Sequence, residues 1–122
     1  VHAFYSLWYG TPEADGRWLH WDHEVLPHWD ERVRAGFEHG SRHEPPGFVH
    51  SPFYPEGGPY SSREGASVAR HVEQAYAAGV DVLVLSWWGR PGVEGASDTQ
   101  GVSTDGAVRA VLDACGAHGG VS

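Results

Sequence analysis

Val1 to Trp8 is apolar or aromatic on both alternating faces, which predicts a strand buried on both sides, as in a parallel sheet or barrel. Gly10-Thr11-Pro12 ends it. From Gly10 to about Arg63 no period is sustained, and turn formers recur instead, among them Asp15-Gly16, Pro27, Pro45-Pro46-Gly47 and Gly57-Gly58-Pro59. One short helical turn over Asp30 to Ala35, capped by Asp30, fits that stretch. Then the period changes. Val68, Val72, Ala75 and Tyr76 recur at helical spacing and predict an amphipathic helix over Ser67–Ala78, with Ser67 as its cap and Gly79 as a left-handed terminator. Val82 to Ser86 reads as a fully buried strand, and Trp87-Trp88-Gly89 leaves its C-terminal end. A loop rich in Gly and polar residues spans Arg90 to Thr104. Val108, Val111, Leu112 and Cys115 then predict a helix from about Asp105 to Ala117, ended by His118-Gly119-Gly120.

The order β, long loop, α, β, loop, α makes two βα units of a parallel α/β architecture. A (β/α)8 barrel closes eight such units over ~250 residues, so residues 1–122 read as the first two units of one incomplete barrel domain. Gly119-Gly120-Val121-Ser122 does not read as a third strand, which suggests truncation. The long βα loop, at about 10–63, is itself informative, because connections of that length tend to be functional or disordered. This one is too aromatic for simple disorder. In barrels the loops after strands build the active-site face, so this loop and the Trp87-Trp88 loop are expected at the substrate end.

Composition narrows the partner. The formal charge is −8 with no lysine, eight arginines being the only Lys or Arg residues, and that excludes nucleic acid or an anionic membrane as the main partner. No apolar run approaches the ~20 residues of a membrane span, so no membrane contact is expected within this stretch. The single Cys115, on a helical apolar face, is expected in the core and cannot form an internal disulfide. Six Trp and five Tyr are many for 122 residues, and four of the Trp fall before residue 30. Beside His, Asp and Gly in loops, indoles commonly form a wall on which a ligand stacks.

Trp87 and Trp88, at the exit of a buried strand, are the first candidates for such a sugar platform, the alternative being that one of them caps the barrel core. Tyr9, last before the first turn, is placed to reach a ligand, and Tyr5 is a weaker candidate because side chains alternate along that strand. His20-Trp21-Asp22-His23-Glu24 is tempting as a metal motif. It is neither H-E-x-x-H nor its inverse, Pro27 breaks any helix that would align the ligands, and no metal is expected there. Glycoside hydrolysis generally uses two carboxyl groups. Asp22, Glu24, Asp30 and Glu56 are available, but spacing pairs none of them, and loop hydrogen bonding or solvated surface is their ordinary use. No phosphate-cradling loop, serine nucleophile elbow or Cys–His dyad is present, and no cofactor is expected.

Phe4-Tyr5-x-x-Trp8-Tyr9-Gly10-x-Pro12, His20-Trp21-Asp22-His23, Pro27-His28-Trp29-Asp30, Phe53-Tyr54-Pro55-Glu56-x-Gly58-x-Tyr60-Ser61-Ser62-Arg63 and Leu85-Ser86-Trp87-Trp88 occur in that order. Together they resemble the N-terminal part of glycoside hydrolase family 99, the endo-α-1,2-mannosidases and endomannanases, from Val1 to about Gly89. The resemblance implies a (β/α)8 barrel and retaining endo-cleavage of an α-1,2-mannosidic bond in N-glycans or mannans. It also implies neighbouring-group participation through a 1,2-anhydro sugar, and two catalytic Glu residues beyond Ser122. By that likeness Trp87 or Trp88 matches the aromatic platform, and Tyr9, less surely Tyr5, the tyrosines of the first strand. Ser6 stands where many relatives have a second Tyr. Eukaryotic relatives are Golgi proteins with an N-terminal anchor, which makes the Golgi the expected location. Three readings stay open at this point: a piece of a working endo-mannosidase, expected to be inactive alone; a carbohydrate-binding or catalytically dead relative; and a truncated product that does not fold.

Overall fold

The computed structural model describes residues 1–25, 32, 35–36, 41–98 and 100–119. The expected turn at Asp30–Ala35 falls almost wholly outside these residues, as do Pro27-His28-Trp29-Asp30 and the last three positions of the chain. The elements are β1 (His2–Tyr5), α1 (Pro12–Asp15), α2 (Gly65–Ala77), β2 (Val82–Leu85) and α3 (Asp105–His118). β1 and β2 pair in parallel, His2 opposite Val82 through Tyr5 opposite Leu85. The chain is thus α/β with a small parallel sheet, as the sequence predicts.

The ladder is shorter than expected because β2 offers only four partners. Beyond it, Ser86 still donates its N–H to the Tyr5 carbonyl, and Trp87 then turns back on Leu85. The strands are not buried on both faces. On one side Tyr5, Leu7, Leu83 and Leu85 pack with Val68 and Val72 of α2 and Ala107, Val111 and Cys115 of α3. On the other, Phe4 is 88% exposed and Val84 is exposed with it. Strand alternation puts these two on the face the helices do not cover.

α2 and α3 pack against each other and against the sheet. Tyr76 and Leu112, expected on the inner faces, are exposed. Each sits at the edge of its stripe, while Ala107 lies in the buried core and Ala110 and Ala114 pack against it. Ser67 is not the cap of α2. The helix starts two residues earlier, at Gly65, and the Ser67 hydroxyl donates back to the Glu64 carboxylate. Gly79 and Gly119 take the left-handed conformation expected of terminators, at φ 80° and 71°. Cys115 is buried in the core.

The described parts of the long loop are packed. α1 is capped by the Thr11 side chain, carries Pro at its start and stops at Gly16 with φ 75°. Gly10 forms an antiparallel bridge with Leu19 so close that a Cβ at Gly10 would stand 2.6 Å from Leu19 Cδ1, so a larger residue would force Leu19 or Asp15 to shift. Trp21 is 1% exposed and donates its indole N–H to the Tyr60 carbonyl. Ser62, also buried, accepts from the Tyr9 N–H, and its own N–H bonds the Tyr9 carbonyl at 2.9 Å. The two ends of the loop are therefore fastened to each other next to β1.

Candidate functional site

Two segments leave the C-terminal ends of the strands, and their aromatic side chains meet. Trp8 stacks on Trp88, ring centroids 5.2 Å apart and planes 22° apart. Tyr9 stacks on Trp21 at 3.8 Å and 23°, and lies edge-on to His20 and Tyr60. Trp8 also lies against His20, centroids 5.2 Å apart. Tyr9, Trp88 and the His20–Trp21 part of the long loop thus form one aromatic wall.

Trp87 turns differently. Its indole N–H donates to Asp105 Oδ1 at 3.0 Å, at the first residue of α3, while 51% of the residue stays exposed. One edge of the ring is pinned and the rest is open to solvent. Next to it, the Trp88 N–H is held by the hydroxyl of the fully buried Thr104. Both tryptophans are therefore positioned by the start of the last helix.

Tyr5 faces the helix side. Its hydroxyl shares a hydrogen bond with His71 Nδ1 at 2.8 Å, and Tyr60 packs edge-on to the same imidazole. Burial raises the Tyr5 hydroxyl to about 12 and raises Tyr60 as well, while burial, helped by Arg70, lowers His71. Tyr5 and His71 form a hydrogen-bonded pair between α2 and the loop, with the Tyr60 ring packed on it, and the Tyr5 hydroxyl is engaged there.

The loop histidines gather behind the wall. His20, His23, His43 and His50 make a chain of ring contacts with centroids 5.0–5.2 Å apart. Burial, reinforced by the neighbouring imidazoles, lowers His50 to about 4, so its ring is neutral at pH 7. Burial also lowers His20, against the opposing pull of Asp98. Asp98 comes from the Arg90–Thr104 loop, and its carboxylate lies 3.6 Å from His20 and 3.8 Å from His23.

The remaining carboxylates are accounted for locally. Asp22 pairs with Arg42 at 3.0 Å and accepts from Gln100. Asp15 is held by Arg63, which also donates to the Ser103 carbonyl and so ties the two loops together. Glu24 is exposed in a bridge with Arg42, and Glu56 is exposed in a turn. Asp30 lies outside the described residues. A cleft of about 460 Å³ between the loops is lined by Arg17, Trp18, Asp22, Arg42 and Gln100 among others; Tyr9, Trp87 and Trp88 are not in its lining.

Sequence reasoning missed Asp98, Asp105 and Trp8. A signal existed for Asp98, since Asp-x-x-Gly is turn-forming and its side chain caps its own loop. None existed for its approach to His20, which depends on two loops folding together.

Residues 1–119 match glycosyl hydrolase family 99. The mouse glycoprotein endo-alpha-1,2-mannosidase-like protein is 46% identical over 93% of this chain, and the rat glycoprotein endo-alpha-1,2-mannosidase is likewise 46% identical over 93%. The chain spans about a quarter of the length of these relatives, 24% and 23%. The solved GH99 endo-alpha-mannosidase from Bacteroides thetaiotaomicron superposes with a TM-score of 0.73 at 28% identity, over 99% of this chain and 31% of that one.

Proposed function

The chain belongs to glycosyl hydrolase family 99, and from that premise we propose that it forms the aromatic sugar platform of an endo-α-1,2-mannosidase built on a (β/α)8 barrel. The substrate is a mannose-containing oligosaccharide, an N-glycan or a mannan, cleaved internally at an α-1,2 bond with retention. The observation that carries this reading is the placing of Trp87, pinned at one edge by Asp105 and open over its remaining surface, next to the Trp88–Trp8 stack. A sugar presents an apolar C–H face, and a fixed, half-exposed indole is a surface on which that face can lie without the ring having to be ordered first. Tyr9, braced against Trp21, is the second contact. Tyr5 supports the wall from the helix side through His71.

The parallel pairing of β1 and β2 supports the barrel, and the open face carrying Phe4 and Val84 is the one a barrel interior would enclose. No helix among the described residues is long and apolar enough to cross a membrane. The mammalian relatives make a Golgi glycan-processing role the one we favour.

This stretch supplies binding rather than the acid and base. Asp22 is tied to Arg42 and Gln100, and Glu24 and Glu56 are exposed. The alternative reading, a binding module without catalysis, is favoured by that same observation. An end-point assay for the disaccharide released from an α-1,2-linked mannoside tests the assignment, beside a full-length relative as positive control. No release by the 122-residue chain is expected. Reproducible turnover, lost in Asp22→Asn, Glu24→Gln, Asp30→Asn or Glu56→Gln, would put the catalytic groups here instead.

A further inference from the structure

The two loops meet at three metal-ligating side chains. His20 Nδ1 and His23 Nε2 lie 3.6 and 3.8 Å from a single oxygen, Asp98 Oδ2, and all three atoms fall within 4.8 Å of one another. These separations are too long for hydrogen bonds. Asp98 Oδ2 and His20 Nδ1 are buried and have no hydrogen-bond partner among the described residues. A buried carboxylate oxygen without a donor is costly, and such atoms are rare in folded proteins unless an ion or water completes them.

The carboxylate is held for this position. Its other oxygen accepts the backbone N–H groups of Gln100 and Val102, each at 2.8 Å, which fixes the carboxylate plane. On the opposite side His20 takes a left-handed backbone, φ 63°, rare outside glycine, and so its ring reaches Asp98 from within a tight turn.

We propose that His20 Nδ1, His23 Nε2 and Asp98 Oδ2 bind a divalent transition metal of the zinc type, which cross-links the long loop to the Arg90–Thr104 loop behind the aromatic wall. Two ligand atoms ~2.0–2.2 Å from a tetrahedral ion stand roughly 3.3–3.6 Å apart, so the His20–Asp98 and His23–Asp98 distances need close by only a few tenths of an ångström. Two imidazoles and one carboxylate suit zinc, whereas calcium or magnesium would call for oxygen ligands throughout. Three protein ligands leave the fourth tetrahedral position to water. The residues around His20 to Glu24 carry no zinc motif by spacing, because the third ligand comes from the other loop. The ion would brace His20, whose ring supports both Trp8 and Tyr9. The site stands on its own geometry and does not depend on the glycosidase reading.

Calorimetric titration of the chelator-stripped full chain with zinc chloride, repeated by following the visible absorption of added cobalt(II), tests the site. One equivalent should bind, with the absorption of a tetrahedral cobalt complex and a rise in melting temperature. Asp98→Asn is the informative variant, since its side-chain oxygen can still accept from Gln100 and Val102 while an amide nitrogen replaces the ligand atom. It should lose at least ~100-fold in affinity, the upper end of what loss of a mere ligand support costs, and melt no lower than the metal-free parent. His118→Ala, far from the cluster, should bind normally. His20→Ala and His23→Ala decide the matter should Asp98→Asn fail to fold. Absence of binding by the parent chain, or equal binding by the three ligand variants, would overturn the assignment. The cluster would then be an ordinary polar contact between the two loops.

Discussion

The indole of Trp8 lies nearly parallel to that of Trp88, centroids 5.2 Å apart, joining the residues that follow β1 to those that follow β2. The backbone ladder stops at Ser86, so this stack carries the association of the two strands on toward the mouth of the sheet. It also sets the spacing between Tyr9, one residue after Trp8, and Trp87, one residue before Trp88.

A double-mutant cycle measures that association. Trp8→Ala and Trp88→Ala should each lower the unfolding free energy, with a coupling of about 0.5–1.5 kcal/mol between them beyond lost burial. Additive effects in denaturant titrations would mean that the rings touch without supporting each other.

Ser62→Ala tests the fastening of the long loop. The hydroxyl is fully buried, accepts from the Tyr9 N–H at 3.2 Å and donates to the Ser6 carbonyl at 3.4 Å. Its removal leaves the Tyr9 N–H without that partner and should cost ~1–3 kcal/mol, read from chemical unfolding. Ser51→Ala, whose hydroxyl among the described residues bonds within its own turn, should change stability far less.

The Tyr5–His71–Tyr60 group gives stability a two-sided pH dependence. Burial lowers His71 from its ordinary 6.5, so below that pH the unfolded chain takes up the proton more readily. This contribution is complete above pH 6.5 and declines as pH falls toward the depressed folded value. Burial raises Tyr5 from 10.0 to about 12, so its contribution is complete below pH 10 and is lost as pH rises from 10 to about 12. Tyr60 acts in the same direction. Unfolding midpoints across this range should therefore fall at both ends, and Tyr5→Phe should flatten the alkaline fall. An alkaline limb unchanged in Tyr5→Phe would show that the phenol is not buried as described.

Much of the fold was legible in the sequence because the elements obey simple periods. The Val68–Val72 and Val111–Cys115 spacings marked the buried helix stripes, and Gly79 and Gly119 marked the ends. The edges of those stripes were not legible, since whether Tyr76 or Leu112 is covered depends on how the helices pack together, which spacing along the chain does not state. α1 could have been read from Thr11-Pro12 and Gly16, a cap, an N-terminal proline and a left-handed stop. It is one turn long and carries no apolar period that would announce it. The candidate site was half legible. Tyr9 and the tryptophans announced themselves by their place after strands, but no local pattern relates Trp87 to Asp105 or His20 to Asp98. Those contacts exist because two loops from one sheet edge share a space, and sequence spacing does not encode that.

The central claim, that Trp87 is a fixed platform for a mannoside, is tested most directly by titrating α-1,2-linked mannobiose into the chain and its Trp87→Ala variant by calorimetry. The account predicts saturable binding by the parent, weakened at least about tenfold in Trp87→Ala, equivalent to ~1.4 kcal/mol. Asp105→Ala, which frees the indole edge while leaving the ring in place, should weaken binding by less. Binding of equal strength in parent and Trp87→Ala, or no binding by a parent chain that melts cooperatively, would contradict it.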